Sequence, residues 1–435
     1  MSDLVDEAPV VLLEGPENGF GWNVLDAGDV DGDGLHDLLA AAEFGNYGLY
    51  AGTVDGFAAA PFGTVGNDDT AWDVDTVGHA AALGDVDGDG HADLALGGTL
   101  GSVAFYAGSA QGYGDAVSRV DGYGVALIGD VDGDGLDDVA VESWGRESGS
   151  VSAYPVALDG LGDPTFTWVG EAAEWPVPAA VGDVNGDGYA DLGTGGAAPR
   201  DAAADGVGTA RVFAGAAAGI VADPLWSASG DRVGCGYGQS ITSGDVDQDG
   251  FSDLAVSEYY TTADGGAVFV YRGGPEGPTA EAAWTMSAGQ GLGMVDVSLG
   301  DLDGDGWLDL ASGDKTGVLL WTGGDGGFPQ EVTQEVATSF VPAVVAMQGA
   351  SAAFLVVGDS DAAGGVGEVA VLRSTAAPPG DDGPPADGCA CGTTPVPEAW
   401  GTVVLLGWLS SRRRRPMQSG VARCIPRGRV DHGGR

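Results

Sequence analysis

One nine-residue acidic pattern, repeated six times, constrains this chain more tightly than its length does. Residues 29–37 read DVDGDGLHD, 85–93 DVDGDGHAD and 130–138 DVDGDGLDD. Residues 183–191 read DVNGDGYAD, 245–253 DVDQDGFSD and 301–309 DLDGDGWLD. Successive copies start 56, 45, 53, 62 and 56 residues apart, so the unit is about 54 residues long. A period of this size marks a propeller, solenoid or array, whose units must stack on one another to bury their apolar faces. It outranks the two or three domains that 435 residues would otherwise suggest.

Every unit has the same anatomy. A short apolar run enters the acidic loop, as in YGVALIGDV at 123–131, and a second leaves it, as in DLALGG at 93–98 and DLAVSE at 253–258. A third follows a glycine, as in GSVAFYAG at 101–108, GTARVFAG at 208–215 and GVLLWTGG at 317–324. Runs of four to six residues rich in Val, Leu, Phe and Tyr and bounded by Gly or Asp read as strands. A variable segment leaves room for a fourth. Three or four strands per unit suit a propeller blade, and no stretch reads as an amphipathic helix of useful length.

A seventh unit is visible without its acidic loop. VPAVVAM at 341–347, FLVVG at 354–358 and GEVAVLRS at 367–374 match the three runs, and the loop QGAS, starting at Gln348, carries no carboxylate. GDSD at 358–361 falls after the second run and is not counted as a metal loop. The lone apolar segment at 8–15, APVVLLEG, has no partner of its own and is expected to supply the outer strand of the last blade. An open array of the same units is the competing arrangement. The expected architecture is all-β: a seven-bladed β-propeller over residues 1–375, with calcium-binding hairpin loops.

Calcium-sized hard cations take six to eight oxygen ligands, and a loop with alternating carboxylates can wrap them around one ion. The first loop offers Asp29, Asp31, Asp33 and Asp37; the second Asp85, Asp87, Asp89 and Asp93; the third Asp130, Asp132, Asp134 and Asp138. The fourth offers Asp183, Asn185, Asp187 and Asp191; the fifth Asp245, Asp247, Asp249 and Asp253; the sixth Asp301, Asp303, Asp305 and Asp309. The seventh residue of each loop would add a backbone carbonyl, leaving its side chain free to vary among Leu35, His91, Leu136, Tyr189, Phe251 and Trp307. The glycine before it permits the sharp turn. Plain Asp-Gly turns would explain one or two copies. They do not explain a fourth carboxylate at one offset in six copies. A helix-loop-helix calcium hand is disfavoured, because the loop lacks a Glu at position 12 and strands flank it. The smaller octahedral shell of magnesium fits less well. Six Ca2+ sites are expected, with metal binding coupled to folding.

With 65 acidic and 16 basic residues the formal charge is −49, which excludes a phosphate-binding nucleic-acid surface. Four cysteines are too few for a disulfide scaffold. Catalytic signatures are absent: there is no nucleophile elbow, zinc spacing or phosphate cradle with a lysine. His36 and His91 lie inside acidic loops, His79 stands at a strand entry and His432 in the tail, while Cys235 reads as a buried thiol. A glycosidase-like carboxylate pair stays open, since a sequence does not show the separation such a pair needs.

Units such as GFGWNVLDAGDVDGDGLHDLL at 19–39 and GYGQSITSGDVDQDGFSDLAV at 236–256 resemble the FG-GAP repeats of integrin alpha-subunit propellers and their bacterial relatives. The glycine-aromatic-glycine triplet stands at Gly19-Phe20-Gly21, Gly122-Tyr123-Gly124 and Gly236-Tyr237-Gly238. It weakens to Gly291-Leu292-Gly293 and Gly78-His79-Ala80, and the fourth unit lacks it. The resemblance covers residues 8–375. It implies seven blades, with calcium in the hairpin between the first two strands of a blade, and a surface that binds protein partners through variable loops.

The ends differ from the body. The start, MSDLVDEAPVVLLEG, has neither the basic n-region nor the long apolar run of a secretory signal, so the chain is expected to be cytosolic or to begin inside a longer precursor. A Pro/Gly/Asp-rich linker with a Gly-Cys motif spans 376–398. A short apolar segment and the arginines Arg412 to Arg415 follow over 399–415, then a tail over 416–435 expected to be disordered. Eight of the 16 basic residues are arginines from Arg412 onward. The order of elements from Gly388 to Arg415 resembles the MYXO-CTERM sorting signals of myxobacterial surface proteins. That resemblance implies export, processing near Cys389 or Cys391, and membrane anchoring through 399–415. The two ends together suggest an imperfect gene model at one or both. The expected function is a calcium-stabilised extracellular or cell-surface module that binds a protein or glycan through loops bearing Tyr259-Tyr260, Trp144, Trp168, Trp175 and Trp226. At least half of these tryptophans are expected to pack between blades instead. A secreted hydrolase or lyase using surface carboxylates and a structural envelope protein are the alternatives.

Overall fold

Short strand-forming runs separated by Gly- and Asp-rich turns pair most readily with their neighbours in sequence, and each unit does so here. The computed structural model describes residues 4–5, 9–14, 20–42, 47–65, 77–85, 89–98, 101–145, 148–157, 160–171, 174–196, 207–231, 235–258, 265–288, 292, 297–314, 317–338, 343–348, 353–359 and 368–375. Among these, seven four-stranded antiparallel sheets and two two-residue ribbons form, and none of the residues is helical.

The first sheet runs Phe20–Gly28, Asp37–Ala42, Tyr47–Tyr50, Gly63–Val65. The second runs Val77–Gly84, Asp93–Gly98, Ser102–Tyr106, Ser118–Asp121, and the third Gly124–Gly129, Asp138–Trp144, Gly149–Tyr154, Phe166–Val169. The fourth is Val177–Ala180, Leu192–Gly196, Thr209–Phe213, Trp226–Ser229, and the fifth Tyr237–Gly244, Asp253–Glu258, Gly266–Tyr271, Trp284–Ala288. The sixth is Val297–Gly300, Asp309–Gly313, Gly317–Trp321, Gln334–Ala337. The seventh takes Ala343–Gln348, Ala353–Asp359 and Glu368–Arg373, with Val11–Glu14 as its outer strand. The first strand of each sheet lies against the first strand of the next, and that of the seventh against that of the first. The sheets are therefore blades of a closed propeller, and the open array is ruled out.

Burial follows position in the blade. The second strands Asp253–Glu258 and Asp309–Gly313 are buried at every residue, whereas the outer strand Phe166–Val169 alternates between buried and exposed positions. Covered on both faces, a middle strand reads as a continuous apolar run; half-covered, an outer strand alternates. The core lies between blades rather than within them. Val181, Val212 and Trp226 of the fourth blade pack against Ile241, Leu254 and Tyr271 of the fifth. Val268 and Met286 of the fifth meet Leu310 and Trp321 of the sixth. Each such side chain contributes about 1.5–3 kcal/mol when fully buried, so a blade owes most of its stability to its neighbours.

Closure is a seam of main-chain bonds. Val11 faces Val371 and Glu14 faces Glu368, and Val5 makes a further antiparallel bridge to Ser374. Gln334 of the sixth blade clasps the same segment. Its Oε1 accepts the N–H groups of Leu4 at 2.6 Å and Val5 at 3.0 Å, and its Nε2 donates to the Val5 carbonyl at 2.8 Å.

The glycine-aromatic-glycine triplet has a packing cause. Gly21, at φ +84°, passes directly over Gly358 of the seventh blade, and a Cβ on Gly358 would overlap the Gly21 carbonyl oxygen. Gly238, at φ +78°, crosses Gly195 of the fourth blade in the same way. Backbone cannot move aside as a flexible side chain can. Gly358→Val is therefore expected to cost at least about 2–3 kcal/mol in urea unfolding. Gly324→Ala, which meets nothing within 4 Å, should stay within about 0.5 kcal/mol of the parent.

Candidate metal centres

In blades one to six the acidic pattern forms the turn between the first and second strands, so all six loops emerge at one end of the ring. The first carboxylate folds the loop around itself. Asp29 Oδ1 accepts the N–H groups of Gly32 at 2.8 Å and Asp33 at 3.0 Å, and its Oδ2 accepts that of Gly34 at 2.8 Å. Asp130 repeats this with Gly133, Asp134 and Gly135, and Asp183 with Gly186, Asp187 and Gly188. Asp85, Asp245 and Asp301 each hold at least two of the equivalent N–H groups. The fifth-position carboxylates Asp33, Asp89, Asp134, Asp187, Asp249 and Asp305 each accept the N–H of the seventh residue.

The ninth-position aspartates do more than a ligand would. Asp37, Asp138, Asp191, Asp253 and Asp309 are at most 2% exposed, and Asp93 only 6%. In five of these loops Oδ2 accepts the N–H of the second loop residue: Val30, Val131, Val184, Val246 and Leu302. In all six Oδ1 accepts an N–H just beyond the third strand, from Gly52, Gly108, Val156, Gly215, Gly273 and Gly323. They staple the loop to the third strand. Burial pushes Asp37 up to about 6 and Asp138, Asp191, Asp253 and Asp309 up to about 7, against the opposing pull of these N–H donors. Asp31, Asp247 and Asp303 are also raised, by burial and then by the neighbouring carboxylates Asp33, Asp249 and Asp305.

Carboxylate oxygens converge in four loops. One oxygen each from Asp29, Asp31 and Asp33 lie within 4.8 Å of one another, as do those of Asp130, Asp132 and Asp138, of Asp245, Asp247 and Asp253, and of Asp301, Asp303 and Asp309. The ninth-position residue thus joins the group in three loops and the fifth-position residue in the first. In the fourth loop Asn185 supplies an amide oxygen in place of a carboxylate; Asp87 of the second lies outside the described residues. The donor set is all hard oxygen, as calcium requires. Asp247 Oδ1 is moreover buried with no hydrogen-bond partner, a cost that an ion would remove. These residues fit a divalent cation.

Three of the six seventh-position side chains answer to the preceding loop, a correction there to the expectation that they vary freely. The His91 ring lies against Gly32 of the preceding loop and its Nδ1 is 2.7 Å from the Val30 carbonyl. Tyr189 covers Gly133, and Phe251 covers Gly186. Main-chain bonds follow the same path: Ala92, Ala190 and Ser252 donate to the carbonyls of Asp29, Asp130 and Asp183. Neighbouring loops are in contact, which no single repeat could show.

Other candidates are plainly placed. His36 is hydrogen-bonded through Nδ1 to Asp26 at 3.0 Å, which raises its pKa. Cys235 is buried and donates to the Val207 carbonyl. Gln348 ends a strand of the seventh blade; the rest of its loop, the side chain of His79, the pair Tyr259-Tyr260 and all of 376–435, including His432, lie outside the described residues. At the other end of the ring Trp144, 39% exposed, stacks on Tyr123 with centroids 4.7 Å apart and planes 11° from parallel. Trp226 is buried between blades.

Residues 245–312 match the FG-GAP-like repeat family. Integrin alpha-4 of Xenopus laevis is 33% identical over 151 residues, 32% of this chain and 14% of that protein. Integrin alpha-V of Gallus gallus is 33% identical over 172 residues, 35% of this chain and 16% of that protein. The chain thus matches a small part of the length of these relatives. The crystal structure of Saccharomyces cerevisiae Sqt1 superposes with a TM-score of 0.52 at 10% identity, covering 84% of this chain and 98% of that one, which speaks to the fold alone.

Proposed function

We propose that the chain is a calcium-stabilised propeller of the cell surface or extracellular space, an adhesion module that binds a protein or glycan through the end of the ring opposite its acidic loops. The convergence of three carboxylate oxygens within 4.8 Å in four separate loops carries the calcium part. When bound, the ion would supply charge neutralisation and a rigid turn. The loop carboxylates would hold it, and the ninth-position aspartates would pass its effect to the third strand. The similarity of the repeats to those of integrin alpha chains supports the binding part. On this reading the Gly388–Arg415 segment is a sorting signal, checked by fractionation and mass spectrometry of the mature C-terminus.

The stacked pair of Tyr123 and Trp144 is the aromatic surface we assign to ligand contact, since a half-exposed flat ring offers apolar area at low entropic cost. Full chain applied to glycan and extracellular-protein arrays should bind a defined ligand, and Trp144→Ala should weaken that binding at least about tenfold, the ~1.4 kcal/mol of one stacking contact, while the chain stays folded. Turnover of a polymer without retention on any array would favour the hydrolase or lyase instead.

A further inference from the structure

The fifth loop is built differently from the others. Arg272 follows the third strand of its blade, and its Nε lies 3.0 Å from Asp247 Oδ2. The guanidinium carbon sits 4.6 Å from the centroid of the Trp284 ring, which is itself fixed by a bond from Nε1 to the Gly326 carbonyl at 3.2 Å. The cation is therefore held between a ring and a metal-loop carboxylate. Because the ninth-position aspartate of every loop receives the N–H of the next residue, the position of Arg272 can be found in each blade. It is occupied there by Ala51, Ala107, Pro155, Ala214 and Thr322, none of which carries a charge. The fifth loop also lacks the fourth-position glycine. Gln248 stands there at φ 58°, and its Nε2 donates to the Gly306 carbonyl of the sixth loop at 2.7 Å.

We propose that Arg272 is a tethered counter-ion of the fifth loop. On the calcium reading given above, it meets part of the charge that a divalent ion meets elsewhere. The loop then keeps its shape without calcium and binds calcium more weakly than the third and sixth loops. The contact engages Oδ2 of Asp247 and leaves Oδ1 buried without a hydrogen bond, so the ion can enter without expelling the arginine. What changes is the charge the ion finds. A unit positive charge about 6 Å from a divalent ion lowers affinity by at least about tenfold even with the full screening of water.

Hydrogen exchange of the full chain, read by mass spectrometry during a calcium titration after chelation, separates the loops. In chelator, peptides over 245–253 should exchange about tenfold more slowly than those over 130–138 and 301–309, and their calcium midpoint should lie about tenfold higher. Arg272→Met should remove both differences, while Arg272→Lys, which keeps the charge, should retain most of each. Calcium binding with a fifth loop no different from the third and sixth, or an Arg272→Met chain unchanged in both readouts, would overturn the proposal and leave the calcium reading standing. If no loop gains protection and no ion binds, the calcium reading fails and the affinity difference with it. The exchange in chelator still reports the arginine contact by itself.

Discussion

Chelation of the full chain is expected to release six calcium ions and to lower the melting temperature by more than any single substitution. A ligand held only by the native state stabilises it by about 2.7 kcal/mol per site at one hundred times its Kd. Six sites at that occupancy would together exceed the 5–15 kcal/mol of an ordinary domain. The formal charge of −49 adds to the effect, because without ions most of the loops set four carboxylates side by side. The effect has a pH signature. In the ion-free chain burial holds Asp37 up at about 6 and Asp138, Asp191, Asp253 and Asp309 at about 7, above their ordinary value of 3.8. Their contribution to ion-free stability is full below the ordinary value and is lost as pH rises through about 7. Calcium prefers the deprotonated loops, so the gap in melting temperature between calcium-loaded and chelated protein should be widest near pH 8 and close towards pH 5. Calorimetry with metal analysis reads both. Fewer than four ions per chain, or an unchanged melting temperature once the ions are removed, would sink the calcium reading.

Asp309→Ala should be the most damaging substitution in any loop, with or without calcium. Its Oδ2 accepts from Leu302 at 2.8 Å and Asp303 at 3.2 Å, and its Oδ1 from Gly323 at 2.8 Å. Truncation leaves buried donors unpaired, at about 1–3 kcal/mol each, and opens the turn that ties loop to third strand. A loss of about 3–5 kcal/mol is expected in urea unfolding even in chelator. Asp303→Ala, which removes a converging loop oxygen but no bond to the third strand, should cost less in chelator and remove one ion when calcium is present. Equal losses from the two variants in chelator would contradict the division between staple and ligand.

That division was not legible in the sequence. The regular spacing of carboxylates tells which residues can share an ion, because one loop holds them all. It does not tell that Asp309 reaches Gly323, a contact across a strand that only the folded blade creates. The number of blades was readable, down to a seventh whose loop has no carboxylate, because Val344, Leu355 and Val371 keep the strand pattern after the acidic motif is gone. The packing of Tyr189 on Gly133 and of Phe251 on Gly186 was invisible for the opposite reason. A repeat read alone looks variable wherever its side chain answers to the next unit. Arg272 did carry a signal: a basic residue in a body with few of them, at a place where the other units have Ala, Pro or Thr.

The seam that closes the ring has a mechanical polarity. Val11 lies beside Val371, and Val5 beside Ser374, so the segments leading away from the two sides depart from the same end of the strand pair. Tension applied between residues 4 and 375 would load that end first and part the strands one bond at a time, like a zip rather than a lap joint.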